Sequence, residues 1–130
     1  CSNESGSGAA GGLGFAFKTF LNANMKSGIE EIISISKVSE NIDNETIIIT
    51  GEGKFDKQSL EGKVISGIVN MAKSKKARVL VVAGYSEIDI VEGVEKVFSC
   101  TEEVMDINEI KRTCVINLKN ATKKIYEYLK

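Results

Sequence analysis

The stretch "TGEGKFDKQSLEGK", residues 50–63, sets acids, lysines and glycines directly behind the apolar run Ile47, Ile48 and Ile49. Glu52 and Asp56 bring hard oxygen donors of the kind that hold a divalent cation, and Lys54 and Lys63 bring charge that neutralises phosphate oxygens. Gly51 and Gly53 permit a positive φ or a close approach of the backbone to a ligand. A helix beginning near Ser59 would turn unpaired amides toward an anion. Phosphate is the ligand these residue types point to. The same residues also suit a solvated turn with exposed ion pairs, which contribute little, so the pattern alone leaves both readings open.

Other chemistries are narrowed by what the chain contains. It has no histidine, so histidine catalysis is excluded, and Cys1, Cys100 and Cys114 have no paired spacing that would suggest a zinc site or a disulfide framework. "GSGAAG" at 6–11 matches the dinucleotide pattern G-x-G-x-x-G, but no strand precedes it. The acids about twenty residues on, Glu30 and Glu31, fall in a predicted helix rather than at a strand end. Lys63 is not a P-loop lysine, because Lys57 stands where the first glycine belongs and Val64 where Ser or Thr would bind magnesium. A flavin domain is disfavoured by the few aromatic residues available to flank the ring. Net charge is −1 with lysines scattered among acids, which gives no basic stripe for nucleic acid. No apolar run approaches the ~20 residues needed to span a bilayer, and no charged segment followed by an apolar one opens the chain. A cytoplasmic protein with no nucleic-acid or membrane partner is expected, with its oligomeric state open, a homo-oligomer included.

The elements that must position the charged stretch follow from period and punctuation. At 130 residues the chain suits one compact segment with its own core. Residues 1–12 read as a loop feeding a helix with Leu13, Phe17, Phe20 and Leu21 on one face, and a second helix follows Ser27 with Ile29, Ile32 and Ile33. "TIIIT" at 46–50 is β-branched and apolar on both faces, which predicts an interior strand that ends at Thr50. Ser59 is a candidate N-cap for a helix with Val64, Ile65, Ile68 and Val69 on its stripe. "RVLVVAG" at 78–84 is a second buried strand. A short helical piece near 88–94 leads to a third strand at 96–99, and 107–129 is a long final helix. Strands alternating with helices imply a layered α/β segment, a mostly parallel sheet with helices on both faces. Ligands in such sheets sit beyond the carboxyl ends of the strands, where the turn after Thr50 and the turn at Gly84, Tyr85 and Ser86 both emerge.

"GSGAAGGLGFAF" (6–17), "TGEGKFDKQSLEGK" (50–63) and "VLVVAG" (79–84), in this order and spacing, closely resemble the C-terminal part of bacterial glycerate kinases of the GarK/GlxK type. The likeness covers nearly the whole chain. Gly6 to Gly14 look like the family's G-A-G-A-A-G-G-L-G element. Thr50, Gly51, Glu52, Gly53, Lys54, Asp56, Gln58, Ser59, Gly62 and Lys63 meet its T-G-E-G-[R/K]-x-D-x-Q-[S/T]-x-x-G-K element. The departures are "EEVM" at 102–105, where the family commonly has Pro-Gly-Pro, and Ile65, where a proline is expected.

The resemblance implies ATP-dependent phosphorylation of glycerate with Mg2+ by an enzyme of two α/β domains. It further implies that residues 1–130 are an incomplete C-terminal segment, inactive alone, whose N-terminal region supplies further motifs and part of the sheet. By the same resemblance Asp56 is the candidate base or metal ligand, Glu52 assists through the cation, and Lys54 and Lys63 contact phosphate or the glycerate carboxylate. Gln58 and Ser59 donate hydrogen bonds. Gly8, Ala9, Ala10, Gly11 and Gly12, with Gly51 and Gly53, approach the ligand by their backbone amides. The alternative is a non-catalytic α/β module that binds phosphate or a partner through the same Gly-rich loops.

Overall fold

Three strands whose side chains are apolar on both faces need cover on both, and the sheet of this protein has it. The structure, a computed structural model, describes residues 6–60 and 64–130. The chain divides into two compact units, Cys1–Ser36 and Lys37–Lys130.

The first unit holds helices α1 (Ala9–Leu21) and α2 (Gly28–Ser36). Inside α1, Ala10, Gly11 and Gly12 take φ of 51°, 67° and 95°, so the regular helical path begins only after Gly12, as the small-residue opening predicts. Gly14 is buried under this turn, and a Cβ there would collide with the carbonyl oxygen of Gly6. Leu13, Phe17, Phe20 and Leu21 are all exposed, Phe20 at 79%.

In the second unit β1 (Ile47–Phe55), β2 (Arg78–Ser86) and β3 (Lys96–Thr101) form a parallel sheet in the order β1-β2-β3. Helix α3 (Val64–Lys75) covers one face, where Ile65, Val69 and Ala72 pack with Val79, Val81 and Ala83. Helix α4 (Ile107–Tyr128) covers the other, where Ile125 packs with Leu80 and Phe98. Val79, Leu80 and Val81 are almost completely buried, each contributing about 1.5–3 kcal/mol, so β2 is the strand on which the unit rests. Among the described residues no helix is long and apolar enough to cross a membrane.

The α/β layering agrees with the sequence, and several local expectations do not. β1 does not stop at Thr50: Gly51, Glu52, Lys54 and Phe55 pair with Val82, Ala83, Tyr85 and Ser86. Phe55 is the reason, because its ring is fully buried in the α3-side core and the chain must stay extended to deliver it there. Among the described residues β1 is an edge strand rather than an interior one, and Ile49 is 54% exposed. Ser59 belongs to a turn of its own, the 3₁₀ turn Lys57–Leu60, ahead of the described span of α3 (Val64–Lys75). Finally, no helix forms at 88–94. The amide of Glu87 instead bonds the Phe55 carbonyl (2.9 Å) and that of Glu95 bonds Val79 (2.8 Å), which holds this connection along the sheet.

At the far end of the sheet the Arg78 guanidinium grips Glu95 through two bonds (2.6 and 2.7 Å), and the Tyr128 hydroxyl donates to the same carboxylate (2.9 Å). The Lys96 ammonium lies over the Tyr128 ring, 4.5 Å from its centre, so β2, β3 and the end of α4 are tied at one point. The Arg78 hydrogen bond holds the Glu95 carboxyl below the ordinary glutamate range; burial opposes this and Tyr128 adds to it. A depressed carboxylate stabilises the fold above its unfolded pKa, and that contribution is lost as pH falls through the folded value. Glu95→Gln should therefore lower the thermal midpoint at neutral pH and flatten its fall on acidification. A melting series from neutral to acid pH checks this, and an acid limb identical to that of the parent would show that Glu95 carries none of it.

Candidate functional site

Because β1 runs on to Phe55, the charged residues leave the sheet at the carboxyl ends of β1 and β2. Lys54 is one pleat from the end of β1. Its ammonium meets Glu87 at 2.7 Å, just past β2, and Asp56 at 3.7 Å, just past β1. The hydrogen bond to Glu87 raises the Lys54 pKa, with burial opposing and the charges of Glu87 and Asp56 adding, so this cation stays charged.

Asp56 and Ser59 form a reciprocal pair around the 3₁₀ turn. Asp56 Oδ1 accepts from the Ser59 amide (3.2 Å), and Ser59 Oγ accepts from the Asp56 amide (3.3 Å). The Ser59 hydroxyl donates to the Lys54 carbonyl (3.1 Å), and Ser59 is 2% exposed. This is the geometry of a capping box with serine in place of the usual Glu or Gln. The candidate base thus also holds the backbone that places Lys54, while its other oxygen faces the lysine.

Glu52 accepts from the Gly53 amide with one oxygen (3.1 Å). With the chain extended between them, Glu52 and Asp56 stand roughly 13 Å apart at Cα, so the arrangement favours one carboxylate per cation, not both on one ion. That suits magnesium, which needs one or two carboxylates when phosphates supply the rest, and Asp56 beside Lys54 is the better placed of the two. Among the described residues no group of three or more acids or cysteines gathers around one point.

Lys63 lies outside the described residues. Gln58 belongs to the 3₁₀ turn. Gly8, Ala9, Ala10, Gly11 and Gly12 belong to the first unit, exposed except for half-buried Gly12. There the backbone passes from right-handed at Ala9 to left-handed at Ala10, a junction that turns successive amides to one side and suits an anion. Left-handed geometry at Ala10 is uncommon for a residue with a Cβ.

Glu87, the closest partner of Lys54, is missed by sequence reasoning. The only signal for it is the continuation of β2 through Ser86, which puts the next residue beside the end of β1. A cavity of about 680 Å³ between the sheet and the first half of α4 is also missed. Gly51, Glu52, Gly53 and Lys54 line it from β1, with Val82 and Gly84 of β2, Cys100 and Thr101 of β3, and Ile110, Thr113, Cys114, Asn117 and Leu118 of α4.

A parallel α/β unit with charged residues and a cavity at the carboxyl ends of its strands has the architecture of the class of α/β proteins in which ligands sit at that edge. Within the class, the profile of the glycerate kinase family matches residues 1–130, and the chain belongs to that family. It is 38% identical over 124 residues to glycerate 2-kinase of Escherichia coli K12, covering 92% of this chain and 32% of that protein. It is 31% identical over 125 residues to a glycerate kinase of Bacillus cereus, again covering 92% and 32%. A crystal structure of a protein assigned as glycerate kinase 2 in Salmonella typhimurium LT2 matches with a TM-score of 0.56 and 33% identity, covering 89% of this chain and 28% of that one. The chain thus spans about a third of the length of the curated relatives it matches.

The bonds of Asp56 to the turn can be probed apart from its charge. Asn caps as well as Asp, so Asp56→Asn should change unfolding stability by no more than about 0.5 kcal/mol, while Asp56→Ala should cost about 1 kcal/mol. Urea denaturation checks both, and equal losses in the two variants would show that capping is not what the carboxylate contributes to the fold.

Proposed function

We propose that this chain is the C-terminal part of an enzyme that phosphorylates glycerate with ATP, and that the carboxyl ends of β1 and β2 supply its phosphate-handling residues. The observation that carries this reading is the Glu87, Lys54 and Asp56 cluster, a cation and a carboxylate held side by side at the ligand-binding edge of the sheet of a glycerate kinase family member. Phosphoryl transfer asks little covalent work of a protein. It needs a positioned hydroxyl, an acceptor for its proton and neutralised phosphate oxygens.

Asp56 is the proton acceptor. The glycerate hydroxyl loses its proton to the Asp56 carboxylate as its oxygen bonds the γ-phosphorus, and the bond from that phosphorus to the bridging oxygen of ADP breaks. Lys54 and Lys63 hold the phosphate oxygens, and Glu87 fixes the direction of Lys54. The amides at Gly8 to Gly12, in the first unit, are by themselves suited to an anionic group. Magnesium, when bound through Asp56 or Glu52, supplies further charge neutralisation on the phosphates.

In the full-length protein Asp56→Asn should lower kcat by about 10²-fold or more with KM for glycerate little changed, since the lost interaction belongs to the transition state. Steady-state kinetics with ATP and glycerate checks this, and near-normal turnover in a folded variant would remove Asp56 from the chemistry. Residues 1–130 alone should show no glycerate phosphorylation, and adding the rest of the enzyme as a separate chain should restore it, because groups that act as a unit lose most of the rate together. Robust turnover by the isolated chain would refute a site completed by other segments.

A further inference from the structure

The cavity between the sheet and α4 has a chemistry that the phosphate-handling cluster beside it does not use. Its walls are largely apolar, with Val82 in the floor and Val104, Met105, Ile110 and Leu118 around it. Glycerate, a small hydroxylated anion, has almost no apolar surface to place there. The ring system of a nucleotide does, and 680 Å³ is within the ~300–1,000 Å³ of ordinary ligand pockets.

The floor points the same way. Glycine weakens a strand, and Gly51 and Gly53 have neither a left-handed backbone nor a packing reason to lack a side chain. A Cβ on Gly53 would meet nothing within 4 Å, and one on Gly51 would meet only the Val82 carbonyl at 3.7 Å. Gly84 differs, because a Cβ there would come within 2.5 Å of the Gly53 carbonyl. The result is a bare patch of backbone at the cavity floor, against which a planar ring can lie.

One wall residue offers a defined hydrogen-bonding edge. The Thr113 hydroxyl donates to the Glu109 carbonyl (2.9 Å), so its oxygen can only accept, and the atom facing it (3.2 Å) must be Asn117 Nδ2. That fixes the orientation of the amide. Asn117 keeps its second N–H as a donor and its carbonyl oxygen as an acceptor, the pair that an asparagine uses on the edge of adenine.

Resting on the kinase reading above, we infer that this cavity takes the purine base of the nucleotide donor, with Gly51 and Gly53 under the ring, Asn117 at its edge and Lys54 toward the phosphates. Cys100 and Cys114 line the same space, Cys114 exposed and Cys100 half-buried with its thiol pushed up by burial against the charge of Lys124. They are built-in reporters of occupancy.

The test is thiol alkylation of the full-length protein followed by mass spectrometry, with ADP or inorganic pyrophosphate as the probe. Saturating ADP should slow alkylation of Cys114 by about tenfold while pyrophosphate, which has no base, should not. Asn117→Leu should weaken ADP binding by about tenfold and leave pyrophosphate binding unchanged. Equal protection by pyrophosphate, no protection by ADP, or ADP binding untouched by Asn117→Leu would overturn the assignment. So would a Cys114 that is unreactive in the ligand-free protein, because other segments of the enzyme would then fill the cavity. A protein that shows ADP protection but transfers no phosphate to glycerate would keep the base site and refute the acceptor.

Discussion

Parallel pairing of β1 with β2 over the whole span from Ile47 to Phe55 is the constraint on which the rest depends. Phe55 is completely buried, and to bury it the backbone between Thr50 and Phe55 must run extended beside β2. Once it does, Lys54 and Tyr85 are partners, the chain after Ser86 emerges beside the chain after Phe55, and Glu87 falls within reach of Lys54. The close approach of the two strands at Gly53 also explains Gly84, where any side chain would press on the Gly53 carbonyl. The burial of one apolar ring therefore sets the geometry of three charged groups.

The charged cluster is built into the end of the sheet. Asp56 ends the strand, holds the 3₁₀ turn through the Ser59 amide and presents its remaining oxygen to Lys54. Glu87 takes the shorter contact with Lys54, which keeps the cation charged and in place. Exposed ion pairs of this kind add little to stability, so the arrangement is better understood as pre-orientation of a lysine than as a structural clamp.

Helix α4 packs unevenly, and the unevenness creates the cavity. Its second half is seated by Ala121 and Ile125 and tied through Tyr128 to Glu95, whereas Ile110, Cys114 and Leu118 in its first half face open space above the glycine-floored end of the sheet. On the face toward α4, Leu80 and Phe98 offer large side chains to the helix, whereas Gly51, Gly53 and Gly84 have none to offer. The sheet edge that binds ligands in this architecture is thus also the edge where the apolar layer is thinnest.

The sequence by itself determined the α/β class, the apolar strands, the helix after Ser27, the long final helix and the turn before Leu13, because these follow from period, composition and local backbone preference. Its motifs were also enough to point to the glycerate kinase family. What it could not show was that "GEGKF" is strand, since glycines and charges read locally as a turn, and only the ladder with β2 and the burial of Phe55 outweigh that preference. It could not place Glu87 beside Lys54, 33 positions apart, or make Ser59 the partner of Asp56. Those depend on register and on which strand edge meets which. These are decided by long-range packing, so only the tertiary structure contains them.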